Sequence, residues 1–213
     1  MIPVNVLSVQ FLPNADPALR QALDLPTDAP ALALISTDCD DATYIALDEA
    51  TKAAPVLVAY SKSLYAGAAN ASTGLAGEVI GILAGPSPAE VQSGMAAALA
   101  AIERLGFTET AARQDVVYLA HTVSSCGSFL ANQANVPTGR ALAYLIAPPV
   151  EAIVGLDAAL KAADVRLATL FAPPSETNFG GGLLTGEQSA CKVAAAAFGQ
   201  AVEDVAARPV SPV

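Results

Sequence analysis

Tyr44, Leu47, Ala50 and Ala54 fall on one helical stripe, and this spacing predicts a helix over 42–54. Ile153, Leu156, Ala159, Leu160 and Ala163 draw the same stripe over 150–163. Asp40 and Asp41 stand where negative charge favours a helix start, and Pro148-Pro149 marks the second entry. Apolar, β-rich runs surround these helices. In the first half they cover 5–13, 32–37, 56–61 and 78–85; in the second, 116–124, 142–147, 165–171 and the glycine-rich 178–186. A second helix closes each half. Ser87-Pro88-Ala89-Glu90 has the form of a capping box, followed by the stripe Val91, Met95, Ala98, Leu99 and Ile102. Thr185 to Gln188 offers the same box for the last helix. Each half therefore reads β, β, α, β, β, α, an α+β layer of the split-βαβ, ferredoxin-like kind.

The halves also repeat in sequence. LDEATKAAPV at 47–56 returns as LDAALKAADV at 156–165, ALA at 31–33 returns at 141–143, and PT at 26–27 returns at 137–138. A duplicated unit of roughly 100 residues makes two small domains, expected at 1–106 and 107–213. Their inner strands are joined by unequal loops, 61–77 and 172–178. The longer one is almost uncharged and rich in small residues, which suits a segment packing against copies of itself around an axis.

Composition narrows the function classes. The chain is 54% hydrophobic and only 14% charged, so it is expected to hide surface against other chains. A net charge of −10 with no basic cluster argues against nucleic acid and anionic membrane as partners. No apolar run approaches the roughly eighteen residues of a membrane span. The N-terminus lacks the basic start of a signal peptide, which points to the cytoplasm. Cys39, Cys126 and Cys191 are isolated, the pattern of small buried hydrophobes rather than of disulfides or a zinc site. His121 and Cys126 are close enough in sequence to raise a nucleophilic pair, but odd spacing on a regular strand sends them to opposite faces. The glycine-rich 67–79 lacks the GK[ST] ending of a phosphate loop. With one histidine, a metal site has little to build on. No catalytic residue, cofactor or metal is expected.

Longer motifs carry a family likeness. ISTDCDDATYIALDEATKAA, SLYAGAA, AGEV, AYLIAPPVEA, LDAALKAADVRLAT and APPSETNF resemble the tandem-domain, trimer-forming shell proteins of bacterial microcompartments. The likeness is to the L-type shell proteins of ethanolamine-utilisation compartments. It implies two permuted ferredoxin-like BMC domains per chain and a pseudohexameric homotrimer that tiles with other shell proteins. It also implies a gated pore for small metabolites. Lys52 and Lys161 match the lysine at the tile edge, where the residue-level alternative is a solvated helix lysine. The pore loops match Tyr65, Ala66, Gly67, Ser72, Thr73 and Gly74 in the first half, and Ser175, Glu176 and Asn178 in the second. Asp40, Glu78, Phe107 and Thr177 match the positions where relatives bind an amino alcohol. There, carboxylates and an aromatic wall would attract the ammonium group. Capping for Asp40, a strand-end charge for Glu78 and core packing for Phe107 remain the alternatives. A trimeric amino-alcohol sensor outside any shell is the second functional reading.

Overall fold

The computed structural model describes residues 1–63, 78–173, 175 and 177–210. In chain order its elements begin with β1 (Ile2–Pro3), β2 (Val6–Leu12), α1 (Pro17–Ala22), β3 (Ala31–Thr37), α2 (Asp40–Ala53), β4 (Leu57–Ser63), β5 (Val79–Gly85) and α3 (Pro88–Ile102). They continue with β6 (Gly106–Glu109), β7 (Val117–Val123), α4 (Ser128–Ala134), β8 (Ala141–Ala147), α5 (Pro149–Ala162), β9 (Val165–Phe171), β10 (Gly180–Gly186) and α6 (Gln188–Ala207).

Two compact units result. One holds Pro3–Leu105 with Gly127–Leu130; the other holds Met1–Ile2, Gly106–Cys126 and Ala131–Val213. The first is built on a four-stranded sheet, β2-β3-β5-β4, antiparallel throughout. Helices α2 and α3 cover one face, where Leu47 meets Ile35 beside the bare backbone of Gly81. The β2–β3 connection covers the other, burying Ala15, Leu25 and Ala29 on Leu32, Ile82 and Ala84. In the second unit β7-β8-β10-β9 repeats that order, extended at one edge by β6 and β1. Alternate residues Ala141, Ala143, Leu145 and Ala147 of β8 meet α5 and α6, where Leu156, Ala159 and Phe198 complete the core. The small residues at these positions let helices approach the sheet closely.

The predicted strands and main helices are present within a residue or two, β1 and β6 are additional to them, and further differences are local. The polar connection between the first two strands of each half contains a short helix, α1 or α4, so the pattern is richer than β, β, α, β, β, α. Asp16 accepts from the Ala18 amide at the head of α1, a side-chain cap read as plain loop in the sequence. The second capping box does not form. Thr185 lies within β10 and donates to the Ala141 carbonyl at 3.0 Å, while Glu187 occupies the cap position. The cap at Ser87 does form: Ser87 Oγ accepts from the Glu90 amide, and the Glu90 carboxylate reaches back to the Ser87 hydroxyl, which donates to it at 2.8 Å. The bare triplet Gly180-Gly181-Gly182 is a central strand. A Cβ on Gly181, at φ 155°, would stand 1.9 Å from the Leu145 carbonyl oxygen.

Candidate functional site

In the first unit, Asp40 opens α2 just after β3 ends, and Glu78 immediately precedes β5. Thr37 of β3 is paired with Val79 of β5, so antiparallel pairing brings both acids to one end of the sheet. Asp40 is buried. Its Oδ2 accepts from Ser63 Oγ at 2.7 Å and its Oδ1 from the Asp41 amide at 2.8 Å. Tyr44, one turn into α2, hydrogen-bonds Ser63 in turn. Burial, and then the neighbouring Asp41 charge, hold the Asp40 carboxyl well above the usual carboxylate range, against the hydrogen bonds from Ser63 and Asp41. Asp40 does not cap α2 from the cap position, which Cys39 occupies without a side-chain bond. Ser63 and Tyr44 gave no signal in the sequence, because their role comes from β4 ending beside the α2 start.

The second unit holds Phe107 and Thr177. Phe107 follows the first residue of β6 and is only 2% exposed, packed edge-on against Phe179 with centroids 5.6 Å apart. Thr177 is buried in a tight turn. Its amide donates to Ser175 Oγ at 3.3 Å, the Ser175 amide donates to the Phe179 carbonyl at 2.9 Å, and Asn178 adopts φ 67°. Asparagine tolerates that left-handed backbone better than most residues. Tyr65, Ala66, Gly67, Ser72, Thr73, Gly74 and Glu176 lie outside the described residues.

The two signature lysines occupy equivalent last turns. Lys52 pairs with Glu49 at 2.5 Å on α2, and Lys161 with Asp157 at 2.6 Å on α5. The repeated aspartates have parted company. Asp157 is a surface ion-pair partner, whereas Asp48 is fully buried and accepts from the Gly127 and Leu130 amides at 2.7 and 2.9 Å. Burial raises the Asp48 carboxyl above its ordinary range despite both amides. This clamp ties Gly127–Leu130 to α2, a contact that identical residues in the two halves concealed. Cys126 lies beyond the end of β7, off the regular strand, with its thiol 3.7 Å from the Pro137 carbonyl; His121 sits within β7 opposite Tyr144. Among the described residues no group of three or more His, Cys, Asp or Glu is placed to hold a metal ion, and no helix is long and apolar enough to cross a membrane.

The family described as BMC domain matches residues 31–115. Over 211 residues the chain is 56% identical to the bacterial microcompartment shell protein EutL of Clostridium perfringens, covering 99% of this chain and 97% of that one. The chain belongs to the EutL family of bacterial microcompartment shell proteins. EutL of Escherichia coli is 48% identical, with 99% and 96% coverage. The crystal structure of the ethanolamine utilization protein EutL from Leptotrichia buccalis superposes with a TM-score of 0.93 at 56% identity, covering 99% of this chain and 98% of that one. The mixed α/β units are thus the fold of the EutL family in its tandem-domain form.

Proposed function

We propose that this EutL-family protein is a structural tile of a microcompartment shell. Three copies form a pseudohexagon that passes small metabolites through a gated central pore. The observation that carries this reading is the repeated strand order, β2-β3-β5-β4 and β7-β8-β10-β9, within a chain akin to shell proteins along its whole length. A doubled fold lets three chains supply six equivalent sectors, and a fixed rotation between neighbours closes a ring. Lys52 and Lys161 are the edge residues in this reading. Segments 61–77 and 175–178 are the gate in this reading. The role is steric and electrostatic, without bond making, and the protein resides in the shell. The division into domains at 1–106 and 107–213 belongs to the same proposal. Sedimentation should give three times the 21.4 kDa chain mass, and negative-stain microscopy should show flat sheets. A persistent monomer would overturn the tile; a trimer that never forms sheets would favour the free sensor.

Asp40, Glu78, Phe107 and Thr177 are proposed to receive an amino alcohol. The buried Asp40 carboxyl supports this reading, because its raised pKa comes from burial and from the Asp41 charge, and a bound ammonium would offset both. Binding should strengthen as pH rises through the raised pKa of Asp40, since only the carboxylate attracts the cation. Calorimetry with ethanolamine should show this trend and lose it in Asp40→Asn. A pH-independent heat of equal size in the variant would place the ligand elsewhere.

A further inference from the structure

The hydrogen-bonded trio of Asp40, Tyr44 and Ser63 belongs to one half of the repeat only. In step with the repeated LDxAxKAA signature, Asp40 and Tyr44 of α2 match Pro149 and Ile153 of α5. Strand register fixes the third match. β4 and β9 each pass over one residue, Ala59 and Ala168, in pairing with β5 and β10, and counting on from these alanines sets Ser63 against Ala172. The second unit thus builds the same strand order and the same pair of helices with a proline, an isoleucine and an alanine at these places. The fold does not require the three polar side chains, and burying polar groups costs more than burying apolar ones. They are present together in one half and replaced together in the other, as groups that act as a unit would be.

Their geometry gives the unit a direction. Asp40 and Tyr44 stand one turn apart on the same face of α2, and Ser63 ends β4 beside them. Ser63 has a single hydroxyl proton, which it donates to Asp40 Oδ2 at 2.7 Å. Its bond with Tyr44 therefore uses the Tyr44 proton, so donation runs from Tyr44 to Ser63 to Asp40. The Tyr44 ring is itself held. Phe129 packs on it with centroids 5.9 Å apart, and Asp48, one turn further along α2, clamps the segment that carries Phe129. The titratable groups around Asp40 include Asp38, Asp41 and the Cys39 thiol on the adjoining residues, and pairing of β3 with β5 brings Glu78 to the same end of the sheet. Against these acids, the Ser63 hydroxyl favours the charged form of Asp40.

We infer that Tyr44 and Ser63 are positioning residues of the ligand site: the chain from Tyr44 through Ser63 holds the Asp40 carboxylate in one orientation and supports its charge for a ligand bearing a primary ammonium. This inference rests on the amino-alcohol reading above and names two residues that tune it. A hydroxyl that accepts a hydrogen bond becomes a stronger donor, so Tyr44 acts on Asp40 through Ser63. Each carboxylate oxygen accepts two hydrogen bonds, so the bonds from Ser63 and the Asp41 amide leave capacity for a ligand N–H. Loss of a bond to the charged form moves a carboxyl toward higher pKa, so weakening the chain should shift ammonium binding to higher pH.

A double-mutant cycle on the full-length protein, read by calorimetry with ethanolamine across pH, tests the chain. Ser63→Ala should bind about tenfold more weakly near neutral pH, as for one hydrogen bond to a charged group, with its binding curve moved to higher pH. Tyr44→Phe keeps the ring against Phe129 and should move the curve the same way, with binding about threefold weaker. The double variant should bind no more weakly than Ser63→Ala alone, because Tyr44 acts through Ser63. Ser63→Thr keeps the hydroxyl and should restore the wild-type curve. Circular dichroism should be unchanged throughout, since the second unit folds with isoleucine and alanine at these places. Losses that add in the double variant would overturn the chain. Wild-type curves in both single variants, beside a lost heat in Asp40→Asn, would also overturn it and leave the site at Asp40 standing. If the wild type gives no heat with ethanolamine at any pH, the amino-alcohol reading falls, and the chain is read from the Asp40 carboxyl titration by carbon-13 NMR. That titration should move to higher pH in Ser63→Ala and Tyr44→Phe and return in Ser63→Thr; one unmoved in both single variants would overturn the chain.

Discussion

At the scale of single residues, Asp40 is the most unusual group, a carboxylic acid placed in a buried pocket beside a second acid. Its folded-state pKa lies above the unfolded value, so the folded chain holds this proton to higher pH. Its contribution to stability is therefore fully present below the unfolded pKa of about 3.9, and it is lost as pH rises through the folded pKa. Replacing it by asparagine removes that slope while keeping an oxygen that can accept from Ser63. Thermal unfolding of Asp40→Asn should therefore match or exceed wild type near neutrality, and the advantage should shrink on acidification. An Asp40→Asn protein that is less stable than wild type at neutral pH and regains the difference in acid would contradict the assignment. The carboxylate itself was visible in the sequence. Its hydrogen-bond partners were not, since Ser63 reaches it only through the folding of β4 alongside α2.

At the scale of elements, the docking of the Gly127–Leu130 segment on α2 turns on Asp48. Its two oxygens satisfy two backbone amides at the start of α4, amides that no helical carbonyl can reach. Asp48→Ala should leave both amides buried and unpaired, at roughly 1–3 kcal/mol each. Chemical denaturation should show that loss, and hydrogen exchange should show Gly127 and Leu130 losing protection before the rest of the first unit. Asp157→Ala, at the repeated position, should cost under about 1 kcal/mol, as for an exposed ion pair. Equal losses would show that the two aspartates do the same job. The helical and strand periods located the main elements because burial on one face is written directly into spacing. The short helices α1 and α4 escaped that reading, since six or seven residues carry too few turns to make a stripe. Thr185 misled because a capping-box pattern is local, whereas strand pairing with Ala141 claimed its hydroxyl.

At the scale of the whole molecule, the duplication governs what assembly is available. Lys52 and Lys161 sit in matching last turns, each paired with an acid one turn back, although the Lys52 side chain, held by Glu49, is less exposed than that of Lys161, held by Asp157. If they form the tile edge, Lys52→Ala with Lys161→Ala should leave trimers intact in sedimentation and suppress sheets in the electron microscope. Sheets that persist unchanged would remove both lysines from the edge. The sequence by itself determined the duplication, the α+β class and the family, because repeated motifs and hydrophobic periods are properties of chain order. Only the tertiary structure decided that Asp48 and Asp157, identical in the repeat, serve different ends. It also decided that Asp40 is buried and accepts from the Ser63 hydroxyl and the Asp41 amide. Those outcomes depend on which distant segments meet, and burial and hydrogen bonding across such meetings are not encoded at any one position.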